Sequence, residues 1–479
     1  MAFDRNIETF IRDFSKEIEE DNAAIFAGAG LSVGSGYVDW KNLLAPIAEE
    51  LGLNVDREND LVSLAQFHAN ETGNRSKLNR LLIEEFDKQA ELSENHLLLA
   101  RLPFAAYWTT NYDRLIEKAL EQQSKRPDVK YTTAHMTQTR RGRDTVVYKM
   151  HGDQEHPDEA ILTKDDYERY HRDRELYLAA LSGDLVSKTF LFLGLSFSDP
   201  NLDYILGRVR VSVNQRNLRQ HYALLKRVSK DDFKDEADFD YSERRQQLFV
   251  DDLKRFGIRA LLIDQYDEIT QILKQLYRTH RSQSVMISGA AENYEPWSPN
   301  EAESLVRDIS ARLVRDGFRV VSGFGLGIGS AVIAGALDEI YANPEKTVGE
   351  YLVLRPFPQG EDYRAKYRKY REDIVSLAGI AIFVFGNKVD EQDRIILSPG
   401  VEEEFELAHA AGLFVIPVGT TGSMAYKLWE RVMKNFKGFY PDHPALEELF
   451  KKLGEDYSGD NNDIVETLQQ FVGQLRGGA

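Results

Sequence analysis

Residues 23–32 of the chain read AAIFAGAGLS. The apolar run Ala23–Ala27 predicts a buried strand, and the glycines after it predict a tight turn that leads into a helix. Glycines also let a backbone approach a phosphate closely and point its N–H groups at it. The stretch therefore indicates an α/β fold. Taken alone, it leaves a phosphate site and an ordinary tight turn equally open.

Similar apolar runs recur through the first half of the chain, separated by helical patterns. Residues 4–20 carry apolar side chains at helical spacing, and residues 266–280 form another amphipathic helix that is expected to close the domain. Strands that alternate with helices predict a largely parallel sheet. The further strands predicted for this domain are 105–109, 145–150, 189–195, 222–225 and 259–263.

The second half of the chain repeats this design. Its predicted strands are 285–288, 319–322, 351–354, 380–385 and 413–418, and helical patterns such as 301–316 and 401–411 lie between them. We therefore predict an α/β protein with two doubly wound, Rossmann-like domains. The predicted domains are residues 1–281 and 282–479.

Composition excludes several kinds of function. The chain has 60 Lys and Arg against 78 Asp and Glu, a formal charge of −18, which disfavours sequence-independent binding to nucleic acid or to an anionic membrane. It has no cysteine, so it has no disulfide, zinc–thiolate site or cysteine nucleophile. No apolar run is long enough to span a bilayer, and the first residues do not resemble a signal peptide. We expect a cytoplasmic protein without a metal.

Three more short motifs follow predicted strands: TTNYD at 109–113, MHGD at 150–153 and GLSFSDP at 194–200. Ligands of open α/β sheets bind at the carboxyl ends of strands, so these positions favour a common site. Each motif also has a plainer interpretation. Asn111, Asp113 and Asp199 could simply cap helices. His151 could be a hydrogen-bonded structural histidine, and Gly194 a turn residue.

Together, in this order, the four motifs resemble those of the sirtuin (SIR2) family. GAGLSVGSGYVDW is similar to the family's GAGxS…GIPDF segment at the glycines and at Asp39, and TTNYD resembles TQNxD. HG matches the motif of the family's catalytic histidine, and GLS resembles the GTS that contacts the adenine ribose. The resemblance implies catalytic roles for Asn111 and His151. It implies an NAD pocket formed by Gly28, Ala29, Gly30, Ser32, Asp39, Asn111, Asp113, His151, Gly194 and Ser196.

Two departures from the sirtuin pattern change the expected reaction. Deacylating sirtuins carry a four-cysteine zinc ribbon after the HG motif, and this chain has no cysteine. Lys41 stands where the family has an arginine. Without an acyl-lysine cleft, water is the natural nucleophile, and the products are nicotinamide and ADP-ribose. By resemblance, Asn111 orients the ribose and the water, and His151 accepts a proton, a role that suits imidazole near neutral pH.

The second domain has its own strand-end motifs. Ser288-Gly289 ends one strand, and residues 320–329, VVSGFGLGIG, carry alternate glycines into a helix, as in a backbone cradle for phosphates. A basic cluster follows. Within it Arg355 and Arg371 are the better phosphate candidates because guanidinium binds phosphate bidentately, whereas Arg364 and Lys369 are more simply assigned to a solvated helix face.

This layout resembles the SLOG superfamily of nucleotide-sensing domains. SPGVEEEF stands where the related LOG enzymes carry PGGxGTxxE, which favours sensing over cleavage. A SIR2-like domain followed by a SLOG domain resembles the NAD-depleting effectors of Thoeris anti-phage defence. That resemblance implies homotetramers activated by a cyclic ADP-ribose-type signal from a TIR-domain partner. The implied signal-binding residues are Ser288, Gly289, Gly323, Gly325, Leu326, Gly327, Arg355, Arg371, Lys388 and Glu404.

Three other functions stay open at this point. The first domain could be an NAD-dependent protein deacylase, which the missing zinc ribbon disfavours. The second could be a LOG-type enzyme that releases a base from a nucleoside monophosphate. The chain could also bind NAD without cleaving it, although Asn111 and His151 in their motifs argue for catalysis.

Overall fold

The computed structural model describes residues 3–58, 60–88, 90–197, 199–213, 218–357, 366–455 and 461–477. Ser198 of the fourth motif and Arg364 of the basic cluster lie outside them. The chain divides into a first unit, Met1–Tyr277, and a second unit, Arg278–Ala479. This division lies within a helix, Asp267–Arg281, whose last residue is the predicted domain boundary.

The described residues of the first unit form a seven-stranded sheet in which every pairing is parallel. Six strands were predicted, and the sequence pattern missed β3. Its residues PDVK include a buried Lys130–Asp128 ion pair with 2.8 Å between Nζ and Oδ1, so the strand is not an apolar run. The strands are β1 Ala23–Ala27, β2 Ala106–Thr109, β3 Pro127–Lys130, β4 Thr145–Lys149, β5 Thr189–Leu193, β6 His221–Lys226 and β7 Ile258–Ile263.

Helices cover both faces of this sheet. Ile25 of β1 packs in a core with α1, α6, α7 and α13, while its neighbour Phe26 packs in a second core with α10 and α11. The α-helices are α1 Arg5–Glu19, α2 Gly30–Val33, α3 Trp40–Glu50, α4 Leu61–Thr72, α5 Ser76–Phe86, α6 Glu94–Arg101, α7 Leu115–Gln122, α8 Thr133–Met136, α9 Lys164–Asp173, α10 Glu175–Ser187, α11 Pro200–Ser212, α12 Glu236–Leu253 and α13 Asp267–Arg281.

The strand order of this sheet is β3-β4-β2-β1-β5-β6-β7. After β1 the chain places β2, β3 and β4 on one side of it, and it then returns to add β5 on the other side. The crevice between the carboxyl ends of β1 and β5 is therefore the topological switch point, where ligands of open α/β sheets bind. The first motif follows β1, and the fourth follows β5.

The second unit contains a five-stranded parallel sheet in the order β10-β9-β8-β11-β14, with its switch point between β8 and β11. Its predicted strands are confirmed to within three residues at each end. An antiparallel hairpin, β12–β13, was missed because its strands are three residues long and largely exposed. The strands are β8 Ser284–Ala290, β9 Arg319–Ser322, β10 Leu352–Leu354, β11 Ile380–Phe385, β12 Asn387–Val389, β13 Ile395–Leu397 and β14 Phe414–Pro417.

One large apolar core joins this sheet to its helices. The predicted doubly wound α/β architecture is confirmed in both units. Within the described ranges, no helix is long and apolar enough to cross a membrane. The helices are α14 Pro299–Arg315, α15 Gly329–Ala342, α16 Val348–Tyr351, α17 Tyr367–Ser376, α18 Pro399–Ala410, α19 Ser423–Lys434, α20 Phe436–Phe439, α21 Glu447–Lys452 and α22 Asn461–Gly477.

Candidate active site

A cavity of about 500 Å³ opens at the switch point of the first unit. Helices α3 and α4 contribute Trp40 and Leu61, among other residues, to its lining. Gly28, alone of the ten residues predicted for NAD, does not line it. The other nine do: Ala29, Gly30, Ser32, Asp39, Asn111, Asp113, His151, Gly194 and Ser196.

The glycines of the first and fourth motifs pack against each other. Gly28 N donates to Leu193 O at 2.8 Å, and Gly30 N donates to Gly194 O at 3.0 Å. A Cβ on Gly28 would lie 2.9 Å from the carbonyl carbon of Gly194, and one on Gly30 would lie 2.9 Å from Gly194 Cα. The sequence predicted glycines that make room for a phosphate. The structure adds a further reason, because the two loops meet backbone to backbone.

Asn111 is one of the residues that line the cavity. Its side-chain amide donates to Gly28 O at 3.1 Å and to Ser32 Oγ at 3.0 Å, and Ser32 Oγ donates to Asp113 Oδ2 at 2.7 Å. These bonds fix the amide plane. Asn111 Oδ1 is buried and has no hydrogen-bond partner among the described residues. A buried acceptor without a partner is costly in a finished fold, so it indicates a place for a ligand hydroxyl or water.

His151 lies opposite Asp199, which begins α11. The distance from His151 Nε2 to Asp199 Oδ2 is 3.0 Å, and the Tyr167 hydroxyl donates to the same oxygen at 3.4 Å. Asp199 Oδ1 accepts from the backbone N–H groups of Asn201 and Leu202. Burial alone would raise the pKa of Asp199, but His151 and the two N–H groups hold that pKa below its ordinary value.

A buried lysine supports the loop that carries Asn111. Lys149 Nζ, at the end of β4, donates to Tyr112 O at 3.1 Å, to Asp113 O and to Asp153 Oδ2. It also lies 3.1 Å from Glu117 Oε1. Burial opposes the charge, but the neighbouring carboxylates raise the pKa of Lys149 above its ordinary value. The lysine thus connects the TTNYD loop to the MHGD loop.

Sequence patterns missed Lys149, Tyr167 and the contact between Asp199 and His151. Asp199 was recognisable only as a helix cap, which it also is. Asp39 likewise caps α3 through Asn42 N at 2.8 Å while lining the cavity. No group of three or more His, Asp or Glu residues that could hold a metal ion occurs in the described part of the chain.

In the second unit, three predicted signal-binding residues meet at the carboxyl edge of the sheet. Ser288 Oγ donates to Glu404 Oε2 at 2.6 Å, and Arg371 Nε lies 3.4 Å from Glu404 Oε1. Arg371 Nη1 donates to Glu403 at 2.6 Å, and its guanidinium lies over the Phe357 ring at 5.5 Å. Burial raises the pKa of Glu404, and Ser288 and Arg371 oppose that shift.

The other predicted signal-binding residues are less closely joined. A Cβ on Gly289 would overlap Val384 O, one on Gly325 would overlap Gly289 O, and one on Gly327 would overlap Ala291 O, so these loops also pack backbone to backbone. Gly323 lies against the Phe357 ring, and Leu326 is 62% exposed. Arg355 is half exposed, 3.6 Å from Asp373, and Lys388 is exposed on the β12–β13 hairpin. No described contact joins these two to Arg371.

Comparisons with known proteins agree with the fold of both units. The model of the SIR2-like domain family matches residues 105–248, and that of the Sir2- and TIR-associating SLOG family matches residues 268–475. NAD(+) hydrolase ThsA of Bacillus cereus (strain MSX-D12) is 49% identical over 97% of this chain and 98% of its own length. The chain belongs to the ThsA family of NAD(+) hydrolases. A second ThsA, from Cytobacillus dafuensis, is 44% identical over all of this chain and 98% of its own length.

Membership in the ThsA family confirms the predicted enzyme class and the order of the two domains. It also favours hydrolysis over the deacylase and the non-catalytic alternatives. Defense-associated sirtuin 2 of Bacillus subtilis is 24% identical over 44% of this chain and 21% of its own length. The likeness to ThsA, by contrast, runs through both units.

Proposed function

We propose that the first unit hydrolyses NAD⁺ to nicotinamide and ADP-ribose at the β1/β5 switch point. The proposal rests mainly on the buried, unpartnered Oδ1 of Asn111, a residue that lines the same cavity as His151. The cavity size is in the range typical of small-molecule sites. Membership in the ThsA family supports the same reaction.

The chemistry needs orientation and one proton acceptor. The bond between the nicotinamide nitrogen and ribose C1′ breaks, and its electron pair leaves with nicotinamide. A water oxygen bonds to C1′, and its proton passes to His151. Asn111 Oδ1 holds a ribose hydroxyl or the water in line, so the reactants meet without further loss of orientational freedom. General-base catalysis of this type contributes about 10²–10⁴-fold to a rate.

Nicotinamide release from NAD⁺ tests this proposal. We expect release by the wild type and a loss of at least about 100-fold in Asn111→Ala and in His151→Ala. His171→Ala is a matched control, because His171 is exposed on α9 outside the cavity lining. Wild-type turnover in Asn111→Ala or His151→Ala would remove the assigned roles.

We further propose that a cyclic ADP-ribose-type nucleotide, made by a TIR-domain partner, binds the second unit and activates the first. The name of the matching SLOG family, which associates with Sir2 and TIR domains, supports this partner. Arg371 supports a phosphate site there, because its largely buried guanidinium lies at the carboxyl edge of the sheet and can bind phosphate bidentately once a carboxylate is released. Activation requires that the signal bind the active state more tightly than the resting state.

A panel of cyclic ADP-ribose isomers tests this regulation. At least one isomer should increase nicotinamide release by the wild type, and Arg371→Ala should lose that increase. Arg368→Ala is a matched control because Arg368 is exposed on the same helix and pairs with Glu372. Activation that survives in Arg371→Ala would show that the signal binds elsewhere.

We propose that the enzyme acts as a homotetramer in the cytoplasm and depletes NAD⁺ during phage infection. The naming of a partial relative as a defence-associated sirtuin supports this role. Light scattering with and without the signal measures the assembly. Cells that carry the chain and its TIR partner should lose NAD⁺ on infection, and cells that carry His151→Ala should not.

A further inference from the structure

The Asp199 carboxylate makes contacts on two sides, which fixes its orientation. Oδ1 accepts from Asn201 N at 2.9 Å and from Leu202 N at 3.0 Å, at the N-terminus of α11. This leaves Oδ2 directed at His151 Nε2, 3.0 Å away, with the Tyr167 hydroxyl at 3.4 Å. Only 11% of the Asp199 side chain is exposed, and 5% of the His151 side chain. The pair therefore meets largely shielded from water.

Among the described groups around the His151 ring, Asp199 is the one that carries a charge. The other rings packed against it are those of Tyr112 at 6.4 Å, Tyr167 at 5.5 Å and Tyr170 at 6.3 Å. Burial raises the pKa of each of these phenols well above its ordinary value, so they remain neutral. The N-terminus of α11 and its N–H groups favour an anion at Asp199.

A carboxylate fixed in this way has two effects on an imidazole. Its negative charge, 3.0 Å from Nε2, favours the tautomer that carries the proton on Nε2, which leaves Nδ1 as the ring nitrogen that can take a proton. It also stabilises the imidazolium that forms once the proton has been taken. Neither effect requires contact between Asp199 and the substrate.

We infer that Asp199 is a positioning residue that orients His151 and stabilises its protonated form during NAD⁺ hydrolysis. This inference rests on the proposed function of the first unit. It gives the Asp of the GLSFSDP motif a second task beside capping α11. Tyr167 contributes through the same carboxylate oxygen.

Asp199→Asn is the sharpest variant, because its amide oxygen can still cap α11 while the charge is lost. Under conditions in which the wild type releases nicotinamide, we expect kcat to fall by about tenfold or more while KM for NAD⁺ changes by less than about twofold. Tyr167→Phe should give a smaller fall. Asp235→Asn is the matched control, because Asp235 caps α12 outside the cavity lining.

A double-mutant cycle separates positioning from structure. If Asp199 acts through His151, Asp199→Asn should cause no further loss in the His151→Ala background. An equal loss in both backgrounds, an unchanged kcat or a raised kcat would overturn the inference. A wild type that releases no nicotinamide under any condition, or an active His151→Ala, would instead contradict the proposed function.

Discussion

Gly194 is a single residue on which the first unit's switch point depends. Its φ is +63°, in the left-handed region, and a Cβ there would overlap Leu31 N and lie 2.7 Å from the carbonyl carbon of Gly30. We expect Gly194→Ala to destabilise the fold by about 2 kcal/mol or more, since strain and overlap add, and to reduce nicotinamide release. Thermal unfolding measures the first effect.

The control for this change is Gly183→Ala. Gly183 is exposed in α10, and nothing lies within 4 Å of a Cβ placed on it. Alanine should there stabilise the helix by about 0.4–1 kcal/mol. If Gly194→Ala melted at the same temperature as the wild type, the two loops could separate without a loss of stability, and the prediction would be wrong.

Asp199 also makes a prediction about pH. Its pKa in the folded protein lies below the ordinary 3.8, so the carboxylate contributes stability above that pH and loses it as the pH falls through the lower, folded value. At pH 7 the free energy of unfolding of the wild type should therefore exceed that of Asp199→Asn by about 1–3 kcal/mol, and the wild type should melt at a higher temperature. The difference should shrink from about pH 4 downward. A difference that stays constant from pH 7 down to about pH 2 would contradict the charged pairing.

At the scale of elements, strand β4 carries the buried Lys149 beneath the TTNYD loop. Lys149→Met would leave Glu117 and Asp153 buried without their cation, and burial already raises the pKa of Glu117. We expect a loss of about 3–5 kcal/mol, measured by thermal unfolding. Lys118→Met, at an exposed position of α7, should have little effect. Equal melting of the two variants would mean that the buried network contributes no stability.

Most elements follow from local patterns. The strands at Ala23–Ala27 and Ile380–Phe385 have predicted bounds because they are apolar on both faces, as central strands of a covered parallel sheet are. Strand β3 was not predicted, because its charged side chains are paired inside the fold and a hydropathy pattern does not show that pairing. The β12–β13 hairpin was not predicted, because the formation of short exposed strands depends more on pairing with a partner strand than on their own sequence.

The site, like the fold, has parts that the sequence predicts and parts that it does not. Asn111 and His151 lie in motifs that directly follow strands, so the parallel sheet brings them to one edge. The contact of His151 with Asp199 joins residues from different motifs, and either residue alone has an adequate local explanation. Arg355 reaches the helix of Arg371 through Asp373, whereas Lys388 lies on the β12–β13 hairpin, and the sequence shows neither arrangement.

At the scale of the whole molecule, the two parallel sheets differ in whether a polar group near the switch point is left without a partner. The first unit leaves an acceptor, Asn111 Oδ1, without a partner. The second unit instead satisfies its arginine internally, because Glu403 and Glu404 both lie against Arg371. In a chain with a formal charge of −18, a cation already paired in this way binds an anion only by releasing a carboxylate.

This competition predicts the sensitivity of the proposed switch. Glu403→Gln removes the charge that a signal phosphate must displace from Arg371 Nη1, so half-maximal activation should need about two- to fivefold less signal, or ~0.5–1 kcal/mol. Glu406→Gln, on the same helix and paired with Arg431, is the matched control and should not shift the titration. Nicotinamide release against signal concentration measures both. A higher requirement in Glu403→Gln would instead make Glu403 a contact of the signal itself.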